Sequence, residues 1–81
     1  MIYPNPVNDK INVSVQAKSN IEDLTVEIIN IYGQNISSIN NKNVFGEFNI
    51  ESDLSYISSG IYLVIVKENG NQVYSKKIIK N

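Results

Sequence analysis

The run Ile61-Tyr62-Leu63-Val64-Ile65-Val66, entered directly from Gly60 and left at Lys67, constrains this chain more than any other stretch. Its residues are β-branched, apolar or aromatic and no polar residue interrupts them. A short run of that kind reads as a strand covered on both faces. Everything else must then supply the layers that cover it. The chain has 81 residues, enough for one domain, and a domain of this size buries roughly 60–65% of the surface its unfolded chain exposes. A large internal active-site cavity is not expected.

The hairpin that leaves this strand is the most local signal. Glu68-Asn69-Gly70-Asn71 puts Asn-Gly between two β-rich runs, where residues at positive φ close a tight turn, so Gln72 to Lys80 pairs antiparallel with the central strand. A two-residue loop pairs Val66 with Val73, and a three-residue loop pairs Val66 with Tyr74. Upstream, Ile11, Val13, Val15 and Ala17 alternate with Lys10, Asn12, Ser14 and Gln16, the period of a half-buried strand from Lys10 to Ala17. Lys18 to Asp23 reads as a polar connection. Alternation resumes from Leu24 to Ile31, with Leu24, Val26 and Ile28 facing in. Asn30 to Gln34 changes direction, with Gly33 at positive φ and Asn30 bonding its own backbone as an Asx turn.

Asn35 to Ile39 gives a short strand, Asn40 to Asn43 a polar loop, and Val44 to Ile50 a further strand in which Gly46 marks a bulge or a close approach. Leu54 and Ile57, three apart behind Asp53 and Ser55, suit one capped helical turn that Gly60 ends. Tyr3-Pro4-Asn5-Pro6 forms a structured lead-in, because proline removes donors and holds the preceding residue extended. The expected fold is all-β: a small immunoglobulin-like β-sandwich of six to seven mainly antiparallel strands, one domain over residues 1–81. Its core candidates are Ile11, Val13, Val15, Val26, Ile28, Phe48, Leu54, Tyr62, Val64 and Val66.

Chemistry is limited by what is missing. Histidine, cysteine and tryptophan are absent, which removes serine- and cysteine-hydrolase arrangements and histidine or thiolate metal sites. Glu22-Asp23 and Glu51-x-Asp53 are the closest acid pairs, and on polar turns such pairs read as solvated loop charges rather than an acid/base couple. Asn8-Asp9 and Glu51-x-Asp53 carry oxygen ligands of the kind calcium takes, without the loop spacing of an EF-hand. The five tyrosines, Tyr3, Tyr32, Tyr56, Tyr62 and Tyr74, read as core or rim residues before they read as a sugar-stacking platform. No catalytic, cofactor-binding or metal-ligating residue follows, and the chain is not read as an enzyme.

A formal net charge of −1, with all seven basic residues lysine, argues against nucleic acid as a partner. No apolar run reaches the roughly 18 residues of a membrane span, and residues 1–10 lack a signal peptide's basic and apolar regions. The chain reads as a monomeric module excised from a longer protein.

Four blocks in order carry a family resemblance: YPNPVNDKINV at residues 3–13, VEIINIYGQNI at 26–36, LSYISSGIYLVIV at 54–66 and SKKIIKN at 75–81. Together they resemble the type A C-terminal sorting domain of the type IX (Por) secretion system of Bacteroidota. Ile50-Glu51-Ser52-Asp53-Leu54 departs from it, being about two residues longer than the Ile-Asp-Leu common in the family, so the crossover geometry there is not carried over. The resemblance implies a non-catalytic address label behind an N-terminal cargo domain. Such a label is recognised by the outer-membrane translocon after periplasmic transit and is then cleaved by a sortase-like cysteine peptidase, leaving the cargo at the outer-membrane surface or outside the cell. Gly60, Tyr62, Lys76, Lys77 and Lys80 match family positions and are the recognition candidates; the competing reading is that Gly60 merely ends a helical turn and Tyr62 belongs to the core.

The lysines have a second reading as edge protection, since charges on a terminal strand deter edge-to-edge aggregation. The alternative to a sorting signal is a carbohydrate-binding or adhesion β-sandwich of a secreted enzyme, which would bind a glycan in isolation. A silent structural spacer would tolerate deletion without stranding its cargo.

Overall fold

The alternating runs at Lys10–Ala17 and Leu24–Ile31 turn out to be halves of one strand. The computed structural model describes residues 2–81 and has five strands: β1 (Ile2–Tyr3), β2 (Lys10–Asn30), β3 (Asn35–Asp53), β4 (Gly60–Glu68) and β5 (Asn71–Lys80). They form a single sheet in the order β1-β2-β4-β5, with β3 on the other edge of β2. All strand pairings are antiparallel. The expectation of a sandwich with six to seven strands is therefore corrected to five strands in one curled sheet.

Two long strands explain the difference. Lys18 to Asn20 look like a turn because they are polar, yet they are a bulge inside β2. Ala17 pairs with Gly46 and Ile21 with Val44, so Lys18, Ser19 and Asn20 stand opposite Phe45 alone. Extra residues on one strand bend it and increase its twist. Asn43 and Gly46 on β3 take the matching positive φ of 56° and 76°. Nothing lies within 4 Å of a Cβ built on Gly46, so a bulge rather than a close approach accounts for the glycine. Asn40 to Asn43, expected as a loop, continue the ladder, with Lys42 opposite Asp23 and Asn40 opposite Thr25.

The bend curls the sheet over its own inner face. Ile11, Val13 and Ile50 from one half share a cluster with Val26, Ile28, Val64, Val66 and Ile78 from the other. Burial of these side chains, each contributing about 1.5–3 kcal/mol relative to exposure, is what holds the curl. Ile11, Val13, Val26, Ile28, Leu54, Tyr62, Val64 and Val66 are buried as expected. Val15 and Phe48 pack against the cluster from its margin. Ile2, Val7, Leu24 and Ile78 are equally enclosed and complete it.

Short-range geometry follows the sequence closely. Asn69 and Gly70 both have positive φ, 52° and 84°, as a two-residue hairpin with Glu68 opposite Asn71 requires. A shift just beyond Lys67 then pairs Val66 with Tyr74, so the turn is the two-residue one and the pairing is the one expected of the longer loop. At the other end of β2 the Asn30 side chain accepts from the backbone N–H of Tyr32 and of Gln34, at 2.9 and 3.0 Å. Gly33 has φ 81°. Between β3 and β4 the chain makes a single turn, Ile57 N–H donating to Leu54 C=O at 3.2 Å, and Asp53 Oδ1 accepts from Ser55 N–H at 2.9 Å.

Candidate functional site

The terminal block of β5 is tied to the lead-in, which runs along its free edge. Val7 N–H donates to Ile79 C=O at 2.7 Å and Asn81 N–H to Val7 C=O at 2.8 Å, a parallel bridge between Val7 and Lys80. The Asn5 side chain reads the same edge twice, accepting from Ile79 N–H at 3.0 Å and donating to Lys77 C=O at 3.4 Å. Asn81 Nδ2 donates to Asn8 Oδ1 at 3.1 Å. Pro4-Asn5-Pro6, just past β1, can lie there because proline needs no ladder partner for its nitrogen. The outer edge of β5 from Lys77 onward is thus already paired.

This placement separates the three lysines. Alternation along β5 turns Lys76, Ile78 and Lys80 to the inner face and Lys77 and Ile79 to the outer one. Lys80 is only 8% exposed, and its ammonium donates to the carbonyls of Ile57 and Asn81 at 3.4 and 3.2 Å. A buried cation needs such acceptors, since an unpaired one would be strongly destabilising. Lys76 Nζ donates to Ile2 C=O at 3.1 Å, joining β5 to β1 across the opening of the curl. Lys77 alone of the three is exposed, with its ammonium outside every ion pair and side-chain hydrogen bond among the described residues.

Tyr62 and Gly60 lie beside this block on β4. Tyr62 pairs with Ile78, and Gly60 with Lys80. The Tyr62 ring is buried and its hydroxyl donates to Ser58 C=O at 2.8 Å, so a buried aromatic finds its polar partner at the strand entrance. Gly60 has φ 151° and opens β4 after the turn. The structure therefore brings Gly60, Tyr62 and Lys80 together at one end of the β4–β5 ladder, sets Lys76 further along it opposite Val64, and leaves Lys77 on the opposite face.

Acidic side chains serve the scaffold. Asp23 accepts from Asn40 Nδ2 and pairs with Lys42 Nζ at 3.2 Å. Its backbone exchanges two hydrogen bonds with Asn69 of the hairpin, at 2.7 and 3.0 Å. The Asn40 bond first, and Lys42 after it, hold the Asp23 carboxyl below its ordinary range. The Asp53 carboxyl is lowered by the Ser55 backbone N–H. Among the described residues no group of three or more acidic, histidine or cysteine side chains could hold a metal ion, and no helix is long and apolar enough to cross a membrane.

The scaffold, then, offers a clamped terminal block and few reactive groups, and comparison with protein families gives the pattern its meaning. The family described as the secretion system C-terminal sorting domain matches residues 1–81, the whole chain. The chain belongs to that family. Comparisons with curated proteins and with solved structures returned no match. As a type IX sorting domain it marks an attached cargo for handling by the secretion system and for export toward the cell surface or the extracellular space.

Sequence reading missed two features of the sorting domain. The Asn5, Asn8 and Asn81 clamp lies in residues that composition treats as ordinary turn formers, and only their pairing across the chain shows their role. The outer face of β4 was expected to be covered, yet Ile61 and Leu63 are exposed. A chain this short, already committed to covering one face, has too few residues for a second layer, and that was the available signal.

Proposed function

We propose that this sorting domain is a non-catalytic, removable address label that carries an N-terminal cargo through the periplasm to the type IX outer-membrane translocon and is then cut off by a sortase-like cysteine peptidase. The family match over the whole chain carries this reading. Physically it suits a scaffold whose polar side chains are spent on its own turns and ends, as with Asn30, Asp23 and Lys80. A label shared by different cargoes has to present one shape and needs little chemistry. Recognition is assigned to the terminal block with Gly60 and Tyr62 beside it, in two roles. Lys76, Lys80, Gly60 and Tyr62 hold the shape, and Lys77 makes the contact.

The test is a reporter cargo with a signal peptide, fused to this domain in a type IX-competent host. Cargo should reach the medium or the cell surface with the domain, stay in the periplasm without it, and stay there in a strain lacking the translocon. The exported cargo should have lost the domain, as read by mass spectrometry of its C-terminus. Export that is indifferent to the domain would overturn the reading, and exported cargo that keeps the domain would remove the cleavage step.

A further inference from the structure

The outer face of the sheet is apolar where a sheet covered on one side is ordinarily polar. Register places Ile29, Leu63 and Lys77 in one row across β2, β4 and β5, and Ile61 beside Ile79 in the next. Ile31 continues the patch just past the end of β2. Ile31, Ile61, Leu63 and Ile79 are 69%, 47%, 39% and 46% exposed. They cannot turn inward, because Tyr62, Val64 and Ile78 already occupy the inner positions and a one-residue slip would expose those instead. An open hollow of about 250 Å³ lies among Asn30, Ile31, Ile61, Tyr62, Leu63 and Lys77. A second of about 280 Å³ flanks Ile31 and Ile61 toward Ser58–Gly60.

Contiguous exposed apolar surface of this kind marks an interaction site. Both hollows are smaller than the usual small-molecule pocket and open to solvent, which suits single side chains from a protein surface better than a free metabolite. The charge at the patch narrows the partner. Lys77 lies at its edge with no acceptor for its ammonium, and Glu27, one row along the same face, is engaged by Lys67 at 3.1 Å. A second copy docking through this same face would bring another unpaired Lys77 and a Glu27 already held by Lys67, so like charge opposes self-association. Anionic bilayers are held by clusters of several cations, and on this face Lys77 alone stands outside an ion pair among the described residues, Lys67 being held by Glu27.

Resting on the sorting reading above, we propose that this face docks a protein of the secretion machinery that sets an apolar side chain into the Ile31–Leu63 hollow and a carboxylate against Lys77. The apolar contact supplies affinity and the ion pair fixes orientation. The terminal block is then read from its outer side.

The experiment uses the cargo fusion with three changes: Lys77→Glu, Lys77→Arg, and Ile61→Thr with Leu63→Thr, threonine having the β-branched shape a strand favours. Lys77→Glu and the threonine pair should each lower the extracellular fraction about tenfold or more, as the loss of an interface anchor does. Lys77→Arg should export near the wild-type level, and all three should melt close to wild type. If the threonine pair fails to fold, Lys77→Glu decides alone, since that ammonium makes no hydrogen bond or ion pair among the described residues. Wild-type export of Lys77→Glu overturns the docking face. So does sedimentation of the unfused chain as a dimer that these changes dissolve, for the occupant is then a second copy. Cargo lacking residues 2–81 serves as the reference: if it too is exported, the sorting reading itself fails, whereas export that needs the domain but ignores this face sinks only the docking proposal.

Discussion

Val64 is fully enclosed between Ile28 on β2 and Lys76 on β5. Val64→Ala should cost about 2–4 kcal/mol, transfer and cavity terms together, as read from the shift in urea midpoint. Lys80 and Lys77 make a sharper pair at this scale. Lys80→Met keeps the aliphatic stem but removes the donors to the Ile57 and Asn81 carbonyls, and should destabilise by about 1–2 kcal/mol. Lys77→Met should leave the melting temperature unchanged. Both lysines look alike in the sequence, since SKKIIKN shows their charge and hides the strand phase that buries one and exposes the other. Asp23 adds a pH dependence. Its carboxyl is held below the ordinary value of 3.8 by Asn40 and then Lys42, so the folded state favours the charged form. That contribution is complete above the ordinary value and fades as pH falls through the lower, folded one. Asp23→Asn should flatten this acid limb, measured by urea melts at about pH 6 and about pH 3.

Among the elements, the hairpin and the Asn30 turn were legible because local residues decide them. Asn69-Gly70 dictates positive φ, and an Asn side chain can cap its own turn. Gly70→Val should therefore destabilise the domain well beyond the change in side-chain size, because φ 84° is strained for a β-branched residue. Circular dichroism melts would show it. The continuity of β2 and β3 was not legible. Lys18-Ser19-Asn20 and Asn40-Asn41-Lys42-Asn43 have turn composition, and what keeps them in strand is their mutual pairing across the bulge. Tertiary pairing overrides local preference in such places. Those strands should differ in protection. From Leu24 to Ile29, β2 is paired on both edges, to β3 and to β4, whereas β3 pairs on one edge only among the described residues. Amide exchange should accordingly be slowest at Val26 and Ile28 and faster by orders of magnitude along β3.

At the scale of the molecule, one sheet makes its own second layer by curling, and the lead-in completes it. Val7 is wholly buried in that seam, so Val7→Asp should open the curl and free the edge of β5, with aggregation on warming as the measurable result. The all-β class was legible from alternation throughout the chain, but the number of layers was not, because a bent strand and two separate strands leave the same hydrophobic pattern. The seam has a mechanical consequence. Its first and last segments run parallel, Val7 beside Lys80, so tension applied at the two ends of the chain slides them past each other along their length. The bonds at Val7, Ile79 and Asn81 are then loaded together instead of being peeled one after another. A cargo dragging on residue 2 while the terminal block is gripped would thus tighten against the strongest direction of the fold, and a single force peak in an end-to-end pulling trace, lost in Val7→Asp, is the expected signature.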